Sequence, residues 1–403
     1  MRIALLTQYF PPEVGAAQAR VSELAEVLSE RGHEVTVITA MPSYPLGRVF
    51  DGYGGLVRRE RLGKVVVLRV AAVPAKSARL VPRMFCYMSF VLSSVLFGGL
   101  CIGRQDVLVV ESPPLFLGLS GIVLAWAKRS RLVVNIADLW PESAVRLGVI
   151  RRASLAHRMA LGLERLCYSR AWFVSGQSKG TLEDIGVRFP NVERFLLPNS
   201  CDVKRFGRRF ATEGARQRLD PDGDGFVVTY AGLHGLAQGL SQVLDAAALL
   251  RGESTVRFAL IGSGPEKAEL VKMAEARGLS NVRFLDPVPP EDVASLLASS
   301  DAVLVTMRMY LPGAVPSKVY EGLASERPLL LMAAGEAAEI VGRDDAGVVL
   351  EPGDARGLAS AILALRERPL EFERMCRRAR IVAERFDSPK ACAEAFAVRL
   401  EAA

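Results

Sequence analysis

Histidine is scarce in this sequence, and its cysteines are not grouped. Three histidines (His33, His157, His234) occur in 403 residues. The six cysteines (Cys86, Cys101, Cys167, Cys201, Cys376, Cys392) are dispersed, with no Cys-x-x-Cys pair and no zinc spacing. That argues against a built-in His/Cys metal site, and no metal is expected. No signal peptide precedes the first strand, since "MRIALLTQYF" enters structure at once. The expectation is an intracellular protein with reduced thiols. There is no basic tail and no arginine–aromatic interleaving, so nucleic acid is not an expected partner. The net charge of +7 is a mild bias spread along the chain. Anionic small molecules or an anionic membrane surface fit it better.

Half the residues are apolar, and the length suits two or three domains of about 150 residues. A strand–helix rhythm runs twice. "RIALLTQYF", "HEVTVITAM", "DVLVVES", "RLVVNIAD", "AWFVSGQ" and "RFLLPN" are the strands of the first half. After the polar stretch "RQRLDPDGDG" the rhythm restarts with "FVVTYAG", "VRFALIGSG", "VRFLDPV", "DAVLVTM", "RPLLLMA" and "AGVVLEP". Apolar strands alternating with amphipathic helices predict parallel sheets covered on both faces. The expected fold is α/β, with two Rossmann-like doubly wound domains facing a cleft. The boundaries are residues 1–198 and 199–385, with a C-terminal helix at about 386–403 packing back on the first domain. Such sheets bind ligands beyond the C-terminal ends of their strands.

One segment departs from the rhythm. Met84 to Gly103 runs twenty residues without a charge, behind Lys76, Arg79 and Arg83. Three readings fit it: a buried helix, a helix lying partly in the membrane surface, or a true span. A single crossing would put neighbouring strands of one sheet on opposite sides of the membrane.

Four loops carry the candidate chemistry. In "YFPPEVGAAQARV", Gly15 opens a helix whose N-terminus favours anions, although small residues there also simply pack. "YAGLHGLAQGL" holds Gly232, Gly235 and Gly239, whose amides could cradle a phosphate. It lacks the Gly-Lys-Ser/Thr of a Walker loop and the spacing of a dinucleotide fingerprint. His234 in this loop is either a ligand contact or a histidine satisfied by backbone. "LIGSGPEKAEL" adds Gly262 and Gly264. In "PGAVPSKVYEGLASERPLL", Gly313, Ala314 and Val315 can offer amides ahead of Pro316 and Ser317 at a helix start. Lys318 suits a phosphate, and Glu321 lies three residues on, suited to a vicinal diol. The competing reading is a solvated ion pair worth about 0.3 kcal/mol.

These pieces in this order resemble the family 4 retaining glycosyltransferases of the two-domain GT-B kind. "GHEVTVITAMPSYP", "LPNSCD" and "PSKVYEGLASERPLL" carry the resemblance over nearly the whole chain. "DLWPESA" and "HGLAQGL" are similar to the bacterial subgroup that builds O-antigen, capsule and exopolysaccharide, including fucosamine transferase-like members. The resemblance implies a hexosyltransferase whose second domain binds a nucleotide-sugar. Glu321 then matches the ribose-binding glutamate, Gly262 and Gly264 the turn near the nucleoside, and Val288 the base-reading segment. Gly15 matches the first-domain glycine loop.

The sequence departs from that family in three places. The earlier of two glutamates is Gly313. An Arg and a Lys that meet the diphosphate are replaced by Leu233 and Gln238, which leaves Lys318, the Gly235 amides and Arg308 to serve. A histidine before Asp138 is Ala137, so Asp138 is the polar candidate on the first-domain side.

The resulting expectation is a UDP-sugar donor, with an N-acetylhexosamine by subgroup analogy, and a lipid-linked or saccharide acceptor. Retention is implied, and no metal or other cofactor is needed. Under inversion, Asp138 or Glu13 would be the base. Residues 76–103 would make a peripheral contact at the cytoplasmic face of the membrane. Two other readings are a UDP-N-acetylglucosamine 2-epimerase-like isomerase and a non-catalytic nucleotide-sugar-binding protein.

Overall fold

The computed structural model describes residues 1–75 and 80–402. Lys76 and Arg79 lie outside them. The chain divides into two compact units. The first holds Met1–Pro198, Pro312–Ala314 and Pro389–Ala403, and the second Asn199–Leu311 and Val315–Ser388.

The first unit is built on eight strands: β1 (Arg2–Leu6), β2 (Glu34–Ala40), β3 (Val57–Leu62), β4 (Val65–Val70), β5 (Val107–Ser112), β6 (Arg131–Ile136), β7 (Phe173–Gly176) and β8 (Arg194–Leu196). Their order is β3-β4-β2-β1-β5-β6-β7-β8. The central strands β1, β5 and β6 are buried along almost their whole length, as a sheet covered on both faces requires. β3 alone runs antiparallel, paired with β4 from Val57↔Val70 to Leu62↔Val65. The alternating-fold reading passed over this hairpin, because β3 reads "VRRERL" and is mostly exposed. Charges of that kind suit an edge strand, where they discourage pairing with another chain.

The helical segment from Leu80 to Cys101 has a π-helical turn at Ser94–Gly98. Phe90, Val91, Ser93 and Ser94 are buried. Ser94 Oγ hydrogen-bonds Ser120 Oγ at 3.0 Å on the neighbouring helix Leu117–Lys128. A Cβ on Gly98 would sit 3.0 Å from Ile38. Phe85, Leu92, Leu96 and Leu100 are exposed on the same segment. With one side in the core of a sheet that continues on both sides of it, this segment is not a free span. The surface reading remains for its other side.

The second unit has β9 (Phe226–Ala231), β10 (Val256–Ile261), β11 (Val282–Leu285), β12 (Ala302–Thr306), β13 (Leu329–Met332) and β14 (Gly347–Leu350). Their order is β11-β10-β9-β12-β13-β14, all parallel. The chain steps outward from β9 in one direction through β10 and in the other through β12. A crevice opens at such a reversal, beyond the C-terminal ends of the two central strands. The corresponding reversal in the first unit lies between β1 and β5.

Candidate active site

In the second unit the two glycine turns after β9 and β10 meet beside the reversal point, and Gly262 and Gly264 are each needed for a close approach. Gly262 has φ +139°, and a Cβ there would lie 1.9 Å from the Gly232 carbonyl oxygen. A Cβ on Gly264 would lie 2.3 Å from the His234 carbonyl oxygen. The loops after β9 and β10 are therefore in backbone contact. The Gly232 N–H donates to Ile261 O at 2.8 Å, the His234 N–H to Ser263 O at 2.9 Å, and the Glu266 N–H to His234 O at 3.0 Å. Lys267 closes the arrangement, its ammonium donating to Gly262 O (2.8 Å), Leu285 O (2.9 Å) and Asp286 (2.9 Å). Lys267 was not singled out in the sequence; its helical position in "GPEKAEL" does not reveal which carbonyls it reaches.

Lys318 enters from the helix Ser317–Ala324, which follows β12. This helix packs Val319, Tyr320, Leu323 and Ala324 inward, and Gly322 lets it approach closely: a Cβ there would meet Leu329 at 2.6 Å. That fixes its N-terminal turn at the reversal point. The Lys318 side chain runs along Gly232, where a Cβ would lie 1.8 Å from Cε and 2.6 Å from Nζ. The ammonium is 5.9 Å from the Tyr230 ring centroid. Among the described residues Lys318 makes no ion pair within 4.0 Å, so the solvated Lys318–Glu321 pair is not formed. Burial pulls the Lys318 pKa down, and Glu321 opposes that. Burial pushes the Glu321 carboxyl up, against the charges of Lys318 and Arg205. An ammonium held this way is stabilised by an arriving anion.

His234 is fully buried, between Tyr230 and Phe284 at ring distances of 5.9 and 6.2 Å. Neither ring nitrogen has a well-formed hydrogen bond among the described residues. Burial chiefly, helped by Lys267 and Lys318, lowers its pKa to about 4, although the Ile261 carbonyl lies near enough to favour the protonated ring.

The rest of the β9 loop is held from below. Thr306 Oγ1 donates to Gln238 O at 2.7 Å, and the Arg308 N–H to Ala237 O at 2.8 Å. Gly239 has φ +59° and lies on the Arg308 backbone, while the Arg308 side chain is exposed. Gly235 is buried beside the Gln238 side chain. Val288 is half-buried against the cluster of Leu219, Val227, Ala259, Ile261 and Leu296.

The stretch before Lys318 is divided. Gly313 and Ala314 group with the first unit and Val315, Pro316 and Ser317 with the second. The Gly313 carbonyl accepts from Ser178 Oγ (2.6 Å) and Thr181 Oγ1 (3.3 Å), two residues that sequence reasoning missed. The Val315 carbonyl accepts from Asn199 Nδ2 at 3.3 Å. Pro316 is the N-cap residue and Ser317 the first helical one.

In the first unit Gly15 caps the helix Ala16–Glu30 in an extended conformation, and a Cβ there would meet Gln18 Oε1 at 2.6 Å. Asp138 follows β6. Burial raises its pKa; Arg20 lowers it and Glu111 raises it. A polar chain accompanies it at the strand ends: Arg20 pairs with Glu111, Asn135 Nδ2 donates to Glu111 (2.6 Å), and Ser175 Oγ donates to Asn135 (2.8 Å). Glu13 is different. Its carboxylate accepts from the N–H groups of Phe10 (3.2 Å), Ser43 (2.9 Å) and Tyr44 (2.8 Å). It anchors two loops and is not poised as a base.

Glycine turns, a preorganised cation and a carboxylate at a reversal point suit a phosphorylated, hydroxyl-bearing ligand. The family comparisons agree. Residues 15–200 match the model of the Glycosyl transferase 4-like domain, and residues 212–382 that of Glycosyl transferases group 1. A protein of Escherichia coli (strain K12) described as a colanic acid biosynthesis glycosyl transferase, WcaI, is 30% identical over 80% of this chain and 81% of its own. A Pseudomonas aeruginosa protein described as a glycosyltransferase, WbjE, is 29% identical over 64% and 66%. Sucrose-phosphate synthase from Thermosynechococcus elongatus superposes with a TM-score of 0.76 over 99% and 98% of the chains, at 18% identity. HepE of Anabaena, crystallised with UDP and glucose, superposes with 0.72 over the whole of both, at 17%. At such identities the structures speak to the fold alone, the two-domain α/β architecture of GT-B enzymes. The chain belongs to the glycosyltransferases that join a 4-like first domain to a group 1 second domain.

Proposed function

We propose that this enzyme transfers an N-acetylhexosamine from a UDP-sugar to a lipid-linked or saccharide acceptor, with retention, in bacterial cell-surface polysaccharide synthesis. The observation that carries the reading is Lys318, an ammonium held against Gly232 without a carboxylate in ion-pair reach among the described residues. As the glycosyl–phosphate bond breaks, charge builds on the departing diphosphate. A preorganised cation and amides stabilise that charge as it forms. In this reading Glu321 accepts hydrogen bonds from the ribose diol, and Gly262 and Gly264 admit the nucleoside. The Val288 backbone faces the base. The Gly232–Gly235 amides, Gln238 and Arg308 border the diphosphate, and Gly313–Ser317 borders the sugar. Gly15 and Asp138 serve the acceptor side. Charge neutralisation runs through Lys318 and amides, without a metal. The relative described as acting in colanic acid biosynthesis supports the pathway class.

The exposed Phe85, Leu92, Leu96 and Leu100, with Trp126 on the adjoining helix at 83% exposure, support a peripheral contact at the cytoplasmic membrane face. The segment Pro82–Cys101 is long and apolar enough to reach lipid.

The test is incubation with labelled UDP-sugars, with and without a membrane extract as acceptor. Acceptor-dependent release of UDP is expected. An epimerised sugar without acceptor would replace transfer with isomerisation, and saturable binding without turnover would leave a binding protein. A GDP-mannose arm is included because a relative from Mycobacterium tuberculosis, 26% identical over 88% of this chain, is named a GDP-mannose-dependent alpha-mannosyltransferase. Turnover with GDP-mannose alone would overturn the UDP assignment.

A further inference from the structure

Two strands of the second unit part where a lysine pins them. The last paired residues of β10 and β11 are Ile261 and Leu285, and the Gly262 N–H still donates to Leu285 O at 3.1 Å. Beyond that bond the two chains separate. One turns through Gly264 into the helix Lys267–Ala276. The other continues as "DPVPP", Asp286 to Pro290, whose three prolines carry no N–H with which to tie it back. Lys267 spans this fork. Its ammonium donates to Gly262 O on one branch (2.8 Å), and to Leu285 O and Asp286 Oδ1 on the other (2.9 Å each). An ammonium has three donors, so these three acceptors engage all of them. The lysine also runs against local preference. It is the first residue of its helix, where the dipole favours an acid over a cation. Two carbonyls and a carboxylate supply what the helix start opposes. The hydrogen bond from Lys267 in turn holds the Asp286 carboxyl below its ordinary value.

We propose that Lys267 is a positioning residue for the nucleoside of the donor, setting the opening between the Gly262–Gly264 turn and the Asp286–Val288 segment; this rests on the transfer reading above. In that reading Gly262 and Gly264 admit the nucleoside and the Val288 backbone faces the base. The ligand then touches both branches, and its fit depends on the angle at which they part. A charge-assisted hydrogen bond is about twice as strong as a neutral one. Three of them from one ammonium hold the fork more firmly than the single backbone bond between Gly262 and Leu285. A lysine with every donor engaged has none left for a phosphate. That separates it from Lys318, which makes no ion pair among the described residues and stands against Gly232. The two lysines divide the ligand between them: Lys267 governs the nucleoside end and Lys318 the phosphate end.

The experiment titrates the whole chain with uridine, UMP and UDP, and in parallel with guanosine, GMP and GDP, so that the outcome does not hang on which base the donor carries. Lys267→Met should weaken a nucleoside, its monophosphate and its diphosphate by one common factor, about 10-fold. Lys318→Ala should weaken the diphosphate by about 10-fold and leave the nucleoside unchanged. In turnover, Lys267→Met should raise the donor KM by more than it lowers kcat. Asp286→Ala removes an exposed side chain and frees one of the three donors. It should weaken all three ligands by a few-fold at an unchanged thermal midpoint, which keeps the test decisive where Lys267→Met fails to fold. A loss that grows from nucleoside to diphosphate would make Lys267 a phosphate ligand and overturn the positioning role. Unchanged affinities in both variants overturn it as well. The two readings fail separately. Sugar transfer with a donor KM indifferent to both variants sinks the positioning role alone. Lys267-dependent nucleotide binding without any sugar transfer sinks the transfer reading alone. A wild-type chain that binds neither series sinks both.

Discussion

Lys318 and His234 sit within one small region of the second unit, and burial acts on both. For Lys318 the proposed consequence is catalytic. Lys318→Ala removes a cation that makes no ion pair among the described residues, so folding should be little changed. Turnover should fall about 100-fold, near 3 kcal/mol of transition-state stabilisation. Steady-state kinetics and a melting curve check this together; wild-type turnover would return Lys318 to a structural role. For His234 the consequence is pH-dependent. Its folded pKa of about 4 lies below the ordinary value of 6.5. Between those values the unfolded chain binds the extra proton, so stability rises with pH there. Stability is therefore undiminished above about pH 6.5 and is lost as pH falls towards 4. His234→Phe should flatten the urea-unfolding free energy across that window. An unaltered slope would show that His234 does not supply it.

Helices, turns and strands were legible in the sequence to the extent that their signals are local. The glycine turns after β9 and β10 announced themselves by composition, but their purpose did not. Gly262 and Gly264 are there because two loop backbones touch, and a residue list does not show which loops meet. For the same reason Lys267, Arg205, Ser178 and Thr181 stayed hidden, each defined by a partner far along the chain. β3 was missed because a charged edge strand lacks the apolar run that marks a buried one. Gly262→Ala tests the turn. Its φ of +139° and its 1.9 Å approach to Gly232 should together cost about 3 kcal/mol or more in denaturant unfolding. A loss under 1 kcal/mol would mean the loops can part freely. The apolar helix gives a second test at this scale. Leu96 and Leu100 are exposed, so Leu96→Glu with Leu100→Glu should release the protein from membranes without lowering its melting temperature. Unchanged sedimentation with membranes would remove this face from the proposed contact.

At the scale of the whole molecule, the chain enters the second unit after Pro198 and returns to the first at Pro389. The returning helix, Pro389–Glu401, packs on the helix Ala16–Glu30. Ala393, Phe396, Ala397 and Leu400 are buried in the cluster of Val21, Leu24, Leu28, Phe173 and Leu197. Phe396 meets Phe173 and Phe195 with ring distances of 5.8 and 5.7 Å. Polar contacts at the rim join Lys390 to Glu30, Arg399 to Glu193, and Glu401 to Arg31 and His33. Exposed pairs of that sort contribute little, while burying a Phe and a Leu contributes roughly 5 kcal/mol. A domain's whole stability is about 5–15 kcal/mol. Ending the chain at Ser388 should therefore unfold or aggregate the first unit, although every strand of its sheet is still present. Phe396→Ala should cost about 3–5 kcal/mol, since the cavity opens among packed rings. Glu401→Gln should leave the melting temperature where it is. A truncated chain that melts like the full one would show that the first sheet does not depend on this helix. Equal losses for Phe396→Ala and Glu401→Gln would instead place the stability in the rim charges.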